Sequence, residues 1–226
     1  MSKVVGIDGA RGAWVAIVLE AGAFAGCMLA DTLADIVARH PGAGAFGIDV
    51  PIGFPTVATD GVRAADVAAR AFVGPRRSSV FPMPARDVLE AGSYAEANAL
   101  SRERYGRGIS RQAYALRENI LEADRLSVDP RVFEVHPEVS FRALKGDVLE
   151  HAKKSWNGLQ ERIRLLEDVG IRLPTALPCG KVAADDVVDA AAAAWSAERV
   201  ARGGAGMLPE GVGGGDADEG TPRIWY

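Results

Sequence analysis

The sequence predicts an α/β fold with a mixed five-stranded sheet flanked by helices, in which the first three strands form an antiparallel meander. Three apolar segments, at residues 3–8, 13–19 and 22–30, are joined by short turns that contain glycine, as expected for sequential hairpins. A helical segment at 33–40 precedes a fourth apolar segment at 44–50. A helix between two strands makes a crossover connection, so the fourth strand should lie parallel to the first.

The fourth and fifth strands should be separated by a long helical insertion. The fifth strand is predicted at 131–135, which leaves residues 51–129 for the insertion. Helical spacing of apolar residues occurs within it at 61–72, 93–104 and 110–126, with proline-containing segments in between.

The last third of the sequence predicts further helices and a short closing strand. The helices are expected at 141–144, 158–169 and about 182–202. A glycine-rich segment at about 203–220 should be flexible, and residues 221–226 are suited to the closing strand. We expect the whole chain, 1–226, to form one domain around the sheet.

Composition is that of an ordinary globular protein, with 48% hydrophobic and 25% charged residues and a net charge of -4. The net negative charge argues against a general DNA-coating role. No apolar run is long enough to span a membrane and the start has no signal-peptide pattern, so we expect a cytoplasmic protein without membrane association. Cys27 and Cys179 lack metal-ligand spacing and should be free thiols in a reducing compartment.

Two of the predicted strands end in an aspartate. Asp8 ends the first strand and Asp49 the fourth, and because these strands should be parallel neighbours, both carboxylates should lie at one edge of the sheet. They would repel each other unless a metal ion or a proton lay between them. The alternative for Asp8 is a carboxylate that accepts hydrogen bonds from the amides of the following turn.

The last helix carries three more aspartates in its first turns. Asp185, Asp186 and Asp189 share nearly one helix face. Interaction with the positive helix N-terminus accounts well for Asp185. It accounts poorly for Asp189, which lies beyond the first turn on the alanine-rich side that should pack against the sheet.

Three further candidates lie within the fifth strand or just after it. Glu134 lies within that strand and Glu138 just beyond it, so at most one of them should face Asp8 and Asp49. His136 is a candidate metal ligand or general base, although a histidine beside a proline more often makes a local hydrogen bond.

Basic side chains in loops and helices are candidates for contact with phosphate. Arg76, Arg77 and Arg86 lie in proline- and glycine-bounded segments of the insertion, which leaves the sheet at the same edge as Asp49. Lys154, with its neighbours Lys153 and Arg162, offers a second group. The alternative for both groups is a solvated helix face.

The order of these elements resembles the ribonuclease H-like fold. More narrowly, the motifs resemble the DUF429 family, which is grouped with predicted ribonuclease H-like nucleases: VVGIDGARGAW at 4–14, GIDVPIG at 47–53, VFPMPAR at 80–86, EVHPE at 134–138 and DDVVDA at 185–190. The resemblance implies hydrolysis of phosphodiester bonds in DNA or RNA with Mg²⁺ or Mn²⁺. It makes Asp8, Asp49 and Asp189 the first ligands, followed by Asp186 and Glu134.

The resemblance also implies a possible homodimer, since junction-cleaving relatives act as dimers. Two other function classes remain open. The turn at 9–12 could hold nucleotide phosphates, as in sugar kinases and actin-like ATPases of the same fold family. The chain could instead be a non-catalytic binding module that keeps an acidic site.

Overall fold

A computed structural model describes residues 2–56, 59–211 and 221–226 of the chain. Its main sheet has the strand order β3-β2-β1-β4-β5. The strands are Lys3–Ala10 (β1), Ala13–Glu20 (β2), Ala23–Ala30 (β3), Ala45–Ile48 (β4) and Val132–Glu134 (β5). The first three are antiparallel, whereas β4 is parallel to β1 and β5 is parallel to β4. The predicted α/β fold with its mixed sheet is therefore confirmed, and it is consistent with a ribonuclease H-like fold.

The helices cover both faces of the sheet. They are Leu33–Arg39 (α1), Ala64–Val73 (α2), Arg86–Leu89 (α3), Tyr94–Tyr105 (α4), Arg111–Ala115 (α5), Arg117–Leu126 (α6), Pro137–Lys145 (α7), Trp156–Asp168 (α8) and Ala184–Ala201 (α9). A 3₁₀ helix at Gly74–Ser79 follows α2. Helices α2 to α6 lie between β4 and β5, as the sequence predicts for the insertion.

Alternate residues of β1 belong to two different hydrophobic cores. Val4 packs in the core that contains α9, whereas Val5 and Ile7 pack in the core that contains α1 and α6. Side chains alternate along a strand, so Asp8 shares the α9 face with Val4. Burial of both faces also explains why β1, β2 and β4 are almost continuously apolar.

Helix α9 lies unusually close to the sheet because glycines and alanines meet at the contact. A Cβ atom on Gly6 of β1 would overlap the backbone of Ala190 and Ala194, and one on Gly47 of β4 would overlap the carbonyl oxygen of Ala193. The small side chains allow the helix to rest on both strands. This contact brings the first turns of α9 to the edge where β1 and β4 end.

Two segments differ from the sequence prediction. Helix α7 begins at Pro137 rather than near 141, because a proline is well suited to the first position of a helix. Within the glycine-rich segment, Met207–Leu208 (β6) pairs antiparallel with Ile224–Trp225 (β7), so the closing strand forms in a separate two-stranded sheet. Residues 212–220 of that segment, including the acidic residues Asp216, Asp218 and Glu219, lie outside the described residues.

Two further expectations concern helices and cysteines. Among the described residues, no helix combines the length and the apolar character needed to cross a membrane. Cys27 and Cys179 are both free thiols, as expected. Burial, together with a hydrogen bond to Cys179, raises the pKa of Cys27 to about 12.

Candidate metal centre

Three aspartates from distant parts of the sequence meet at one end of the sheet. Asp8 comes from β1, Asp49 directly follows β4, and Asp189 lies on α9. One carboxylate oxygen from each lies within 4.8 Å of the other two. Asp8 and Asp189 are buried, with exposed fractions of 8% and 2%, and Asp49 is partly exposed. This buried acidic triad could bind a metal ion.

Backbone hydrogen bonds fix the strand ends that carry two of these side chains. The backbone amide of Asp49 donates to the carbonyl oxygen of Ile7 over 2.8 Å, which extends the parallel pairing of β1 and β4 by one residue. The amide of Gly9 donates to Oδ1 of Asp8 over 2.6 Å. The turn contact expected for Asp8 is thus present, and it leaves the second oxygen of that carboxylate available.

Burial and mutual repulsion make the triad electrostatically costly when it is fully ionised. Burial, followed by the charges of Asp49 and Asp189, raises the pKa of Asp8 well above its ordinary value. Burial also raises the pKa of Asp49 to about 7 and that of Asp189 to about 6, against the opposing charge of Lys153. Near neutral pH the triad therefore keeps part of its protons, on Asp8 and Asp49 more than on Asp189, unless a cation replaces them.

The side chain of Lys153 already supplies one positive charge to the triad. Its Nζ atom lies 2.6 Å from Oδ2 of Asp189. Burial alone would lower the pKa of Lys153, but the neighbouring charges of Asp189 and Asp49 raise it above its ordinary value. The sequence analysis favours the adjacent Lys154 as a candidate phosphate contact, and that side chain is exposed.

Glu138 brings a fourth carboxylate to the same cavity. Its Oε1 atom accepts a 2.6 Å hydrogen bond from Nη2 of Arg162, whereas Oε2 is buried and has no hydrogen-bond partner within the described ranges of the chain. Glu138 is 7% exposed and lines the cavity together with Asp49 and Asp189. Because a buried carboxylate oxygen without a partner is costly, this atom is suited to a cation. Arg162 is itself buried and holds Glu138 in place.

The structure assigns Glu134 to a buried ion pair. Nη2 of Arg63 donates to both carboxylate oxygens, at 2.8 and 2.6 Å, and the amide of Ile52 donates to Oε2 over 2.7 Å. Burial raises the pKa of Glu134 to about 7, although the charge of Arg63 opposes the shift. Both oxygens are used, so Glu134 attaches the insertion to β5 and does not join the triad.

Asp186 and Asp185 lie beside the triad rather than in it. Asp186 is partly buried, one turn before Asp189, and its charge contributes to the raised pKa values of Asp8 and Asp49. Burial and the charge of Asp185 raise the pKa of Asp186 itself. Asp185 occupies the first turn of α9, where an acid interacts favourably with the helix dipole.

The comparison with protein families gives one clear result. The sequence profile of a family described as "Protein of unknown function (DUF429)" matches residues 6–212, a range that includes all three triad aspartates. The chain belongs to the DUF429 family. Searches of curated proteins and of solved structures gave no significant match.

In this DUF429 protein, the side chain of His136 lines the cavity beside the triad. Its Nε2 atom lies 3.3 Å from the carbonyl oxygen of Ser79, which can only accept, so Nε2 carries the proton. Nδ1 is buried and has no hydrogen-bond partner among the described residues. Burial lowers the pKa of His136, which favours a neutral ring with a lone pair on Nδ1.

The candidate phosphate contacts of the DUF429 chain occupy three different environments. Arg76 donates from Nη2 to the carbonyl oxygen of Leu149 over 3.2 Å, and Arg77 is exposed on the 3₁₀ helix. The Arg86 guanidinium pairs with Asp124 and stacks over the ring of Phe54 at 4.3 Å. Arg77, Arg86 and Lys154 are all exposed, but Arg86 is held by its contacts within the insertion.

A cavity of about 240 Å³ opens above the triad. The three aspartates, Glu138, His136 and Lys153 line one part of it. Side chains of β2, of the segment after the 3₁₀ helix and of helices α5 and α6 also line it, together with residues of α2 and β5. Residues of the insertion thus cover the acidic site of this DUF429 protein on one side.

Proposed function

We propose that this DUF429 protein is a metal-dependent nuclease that hydrolyses phosphodiester bonds in nucleic acid. One observation carries the proposal: carboxylate oxygens of Asp8, Asp49 and Asp189, from three separate elements, lie within 4.8 Å of one another in a mostly buried site. Buried carboxylates cluster in this way at a high electrostatic cost, which a bound cation offsets. Such unfavourable arrangements are typical of functional sites.

The donor set fits Mg²⁺ or Mn²⁺. Both ions prefer oxygen ligands, and carboxylates are their usual protein ligands. Asp8, Asp49 and Asp189 would hold the ion. The unpaired Oε2 atom of Glu138 offers a further oxygen in the same cavity, oriented by the bond between Oε1 and Arg162.

When bound, a divalent ion at such a site lowers the pKa of an attacking water and stabilises the leaving oxygen of a phosphodiester. The contact of Nε2 with Ser79 leaves Nδ1 of His136 unprotonated, so His136 would be the proton acceptor of the site. Arg77 and Lys154, which are exposed, would contact phosphates that flank the scissile bond.

One observation favours a second candidate, a non-catalytic binding module. The ion pair between Lys153 and Asp189 neutralises part of the acidic charge without any metal. A protein that used its acidic residues only for structure would keep such a pair permanently. The nucleotide-phosphate alternative has less support, because the β1–β2 turn is closed by strand pairing up to Ala10 and Ala13.

Metal titration and cleavage assays together test the proposal. Calorimetric titration with Mn²⁺ should show binding that Asp49→Asn abolishes, whereas Asp35→Asn, at an exposed position in α1, should leave it unchanged. Labelled single-stranded, duplex, hybrid and branched substrates should be cleaved with Mn²⁺ or Mg²⁺, and EDTA should stop the reaction. Metal binding without cleavage of any substrate would favour the binding module. The expected homodimer is tested by light scattering with and without these substrates.

A further inference from the structure

The volume of the cavity above the triad is too small for a nucleic-acid duplex. Its volume is about 240 Å³, and Asp189 and Asp8 at its base are 2% and 8% exposed. Phe81, on the segment after the 3₁₀ helix, and Leu116, before α6, lie across the cavity as parts of the insertion. A paired base cannot enter such a space with its partner, but a single flat group can.

One wall of the cavity is a fixed aromatic ring. Trp14 pairs with Gly9 in the β1–β2 register, and its ring lies about 4.0 Å from the position that a Cβ on Gly9 would take. Its Nε1 donates to Oε2 of Glu122 over 2.9 Å, and Oε1 of Glu122 accepts from the amide of Leu33 over 2.6 Å. Trp14 is 2% exposed, so the indole is held in place and only a small part of it borders the cavity.

Two side-chain amides face the same cavity. Nδ2 of Asn119, on α6, lies about 3.3 Å from the position that a Cβ on Gly9 would take, next to Asp8. Gln112, on α5, also lines the cavity. Within the described part of the chain, neither side-chain amide makes a hydrogen bond to the protein, so each offers a donor and an acceptor to a ligand.

We propose that this cavity takes one unpaired nucleotide, with its phosphate at the acidic triad and its base beside Trp14. The inference rests on the proposed function, since the triad needs its metal ion in order to attract a phosphate. A nucleobase has an apolar face and a polar edge, which match the aromatic wall and the amides of Asn119 and Gln112. A frayed strand end and a free nucleotide share this chemistry, and the experiment below separates them.

The test measures binding of 2-aminopurine, a fluorescent base, with Ca²⁺ in place of Mg²⁺ to limit turnover. The base is placed as an unpaired 3′ nucleotide on a duplex, as a paired base inside a blunt duplex, and in a free deoxynucleoside monophosphate. We expect the unpaired nucleotide to bind about tenfold more tightly than the paired one, and its fluorescence to change as the base enters the cavity. Tight binding of the free deoxynucleoside monophosphate would identify a free nucleotide as the ligand and would also support the inference.

Two variants connect the binding to this cavity. Asn119→Ala and Gln112→Ala should each weaken binding of the unpaired nucleotide about fivefold, because a polar edge loses a partner. Asn157→Ala, at an exposed position on α8, is the matched control. Equal affinity for paired and unpaired bases would overturn the inference, and so would binding that neither variant weakens. The proposed nuclease function would still stand if the protein bound Mn²⁺ and cleaved nucleic acid. Loss of Mn²⁺ binding and of cleavage would instead reject the proposed function.

Discussion

The Nζ atom of Lys153 lies 2.6 Å from Oδ2 of Asp189, inside the acidic triad. The Asp189 side chain is 2% exposed and that of Lys153 is 38% exposed, so the carboxylate is fixed while the lysine reaches it from the surface. A metal ion that uses Asp189 must compete with this ammonium group. The ion pair is therefore a built-in competitor of the proposed metal.

Removal of the Lys153 charge should strengthen metal binding. Lys153→Met keeps an apolar stem of similar length but abolishes both the ion pair and the repulsion between ammonium and metal. We expect the affinity for Mn²⁺ to rise about tenfold, which corresponds to about 1.4 kcal/mol, in calorimetric titrations. Lys154→Met, at the exposed neighbouring position, should leave the affinity unchanged. Equal affinities in the two variants would show that Lys153 does not compete.

The metal-free protein should lose stability as the pH rises through the titration of the triad. The folded-state pKa values of Asp49, about 7, and Asp189, about 6, exceed the ordinary value of 3.8, so the folded state binds more protons than the unfolded state. Their stabilising protonation is complete below about pH 4 and is lost up to about pH 7. Thermal unfolding with EDTA should show this decline between those pH values.

Two comparisons show whether the triad is responsible for the decline. Asp8→Asn keeps the oxygen that accepts from Gly9 and removes one buried charge, so its melting temperature should fall less with pH. Asp35→Asn, at an exposed position, should behave like the wild type. Saturating Mn²⁺ should raise the melting temperature at pH 7 in the wild type but not in Asp8→Asn. Parallel pH profiles for wild type and Asp8→Asn would be inconsistent with the proposed electrostatics.

Glu134 and Glu138 should respond in opposite ways to the same substitution. Glu134→Gln leaves Arg63 buried with Asp66 as its remaining partner, so the free energy of unfolding should fall by about 3 kcal/mol. Its Mn²⁺ affinity should stay within about twofold of wild type. Glu138→Gln keeps the oxygen that contacts Arg162 and should reduce Mn²⁺ affinity about fivefold with little loss of stability.

Denaturant unfolding and metal titration of the two glutamine variants distinguish these roles. If the Glu134→Gln protein folded but no longer bound Mn²⁺, the result would show that Glu134 is a metal ligand. Unchanged Mn²⁺ affinity in Glu138→Gln would exclude Glu138 as a metal ligand.

The close approach of α9 to the sheet should depend on Gly6. Gly6→Ala places a methyl group on the backbone of Ala190 and Ala194, which cannot yield as a flexible side chain can. We expect the free energy of unfolding to fall by about 3 kcal/mol in denaturant titrations, because overpacking forces the helix away. Gly26→Ala, in β3, meets nothing within 4 Å and is the matched control. Similar stabilities for the two variants would contradict the described contact.

Short-range patterns were sufficient to predict where the triad lies. Asp8 and Asp49 end strands that a crossover makes parallel, and the connection rules alone place them at one edge. Asp189 followed from helical spacing and from the alanines behind it, which require a packed face. The family resemblance, rather than periodicity, grouped these three residues as metal ligands.

Roles that depend on distant partners could not be predicted in the same way. Glu134 pairs with Arg63, which lies 71 residues away in the sequence. Glu138 faces the cavity because α7 begins at Pro137, and the choice between Lys153 and Lys154 depends on the conformation of one turn. No local pattern encodes these contacts.

Anomalous X-ray scattering from crystals soaked in Mn²⁺ is the most direct test of the proposed metal centre. We predict a strong anomalous peak among the carboxylates of Asp8, Asp49 and Asp189, with the ammonium group of Lys153 withdrawn from Asp189. Crystals saturated with Mn²⁺ that gave no peak at the triad and kept the ion pair between Lys153 and Asp189 would contradict the account.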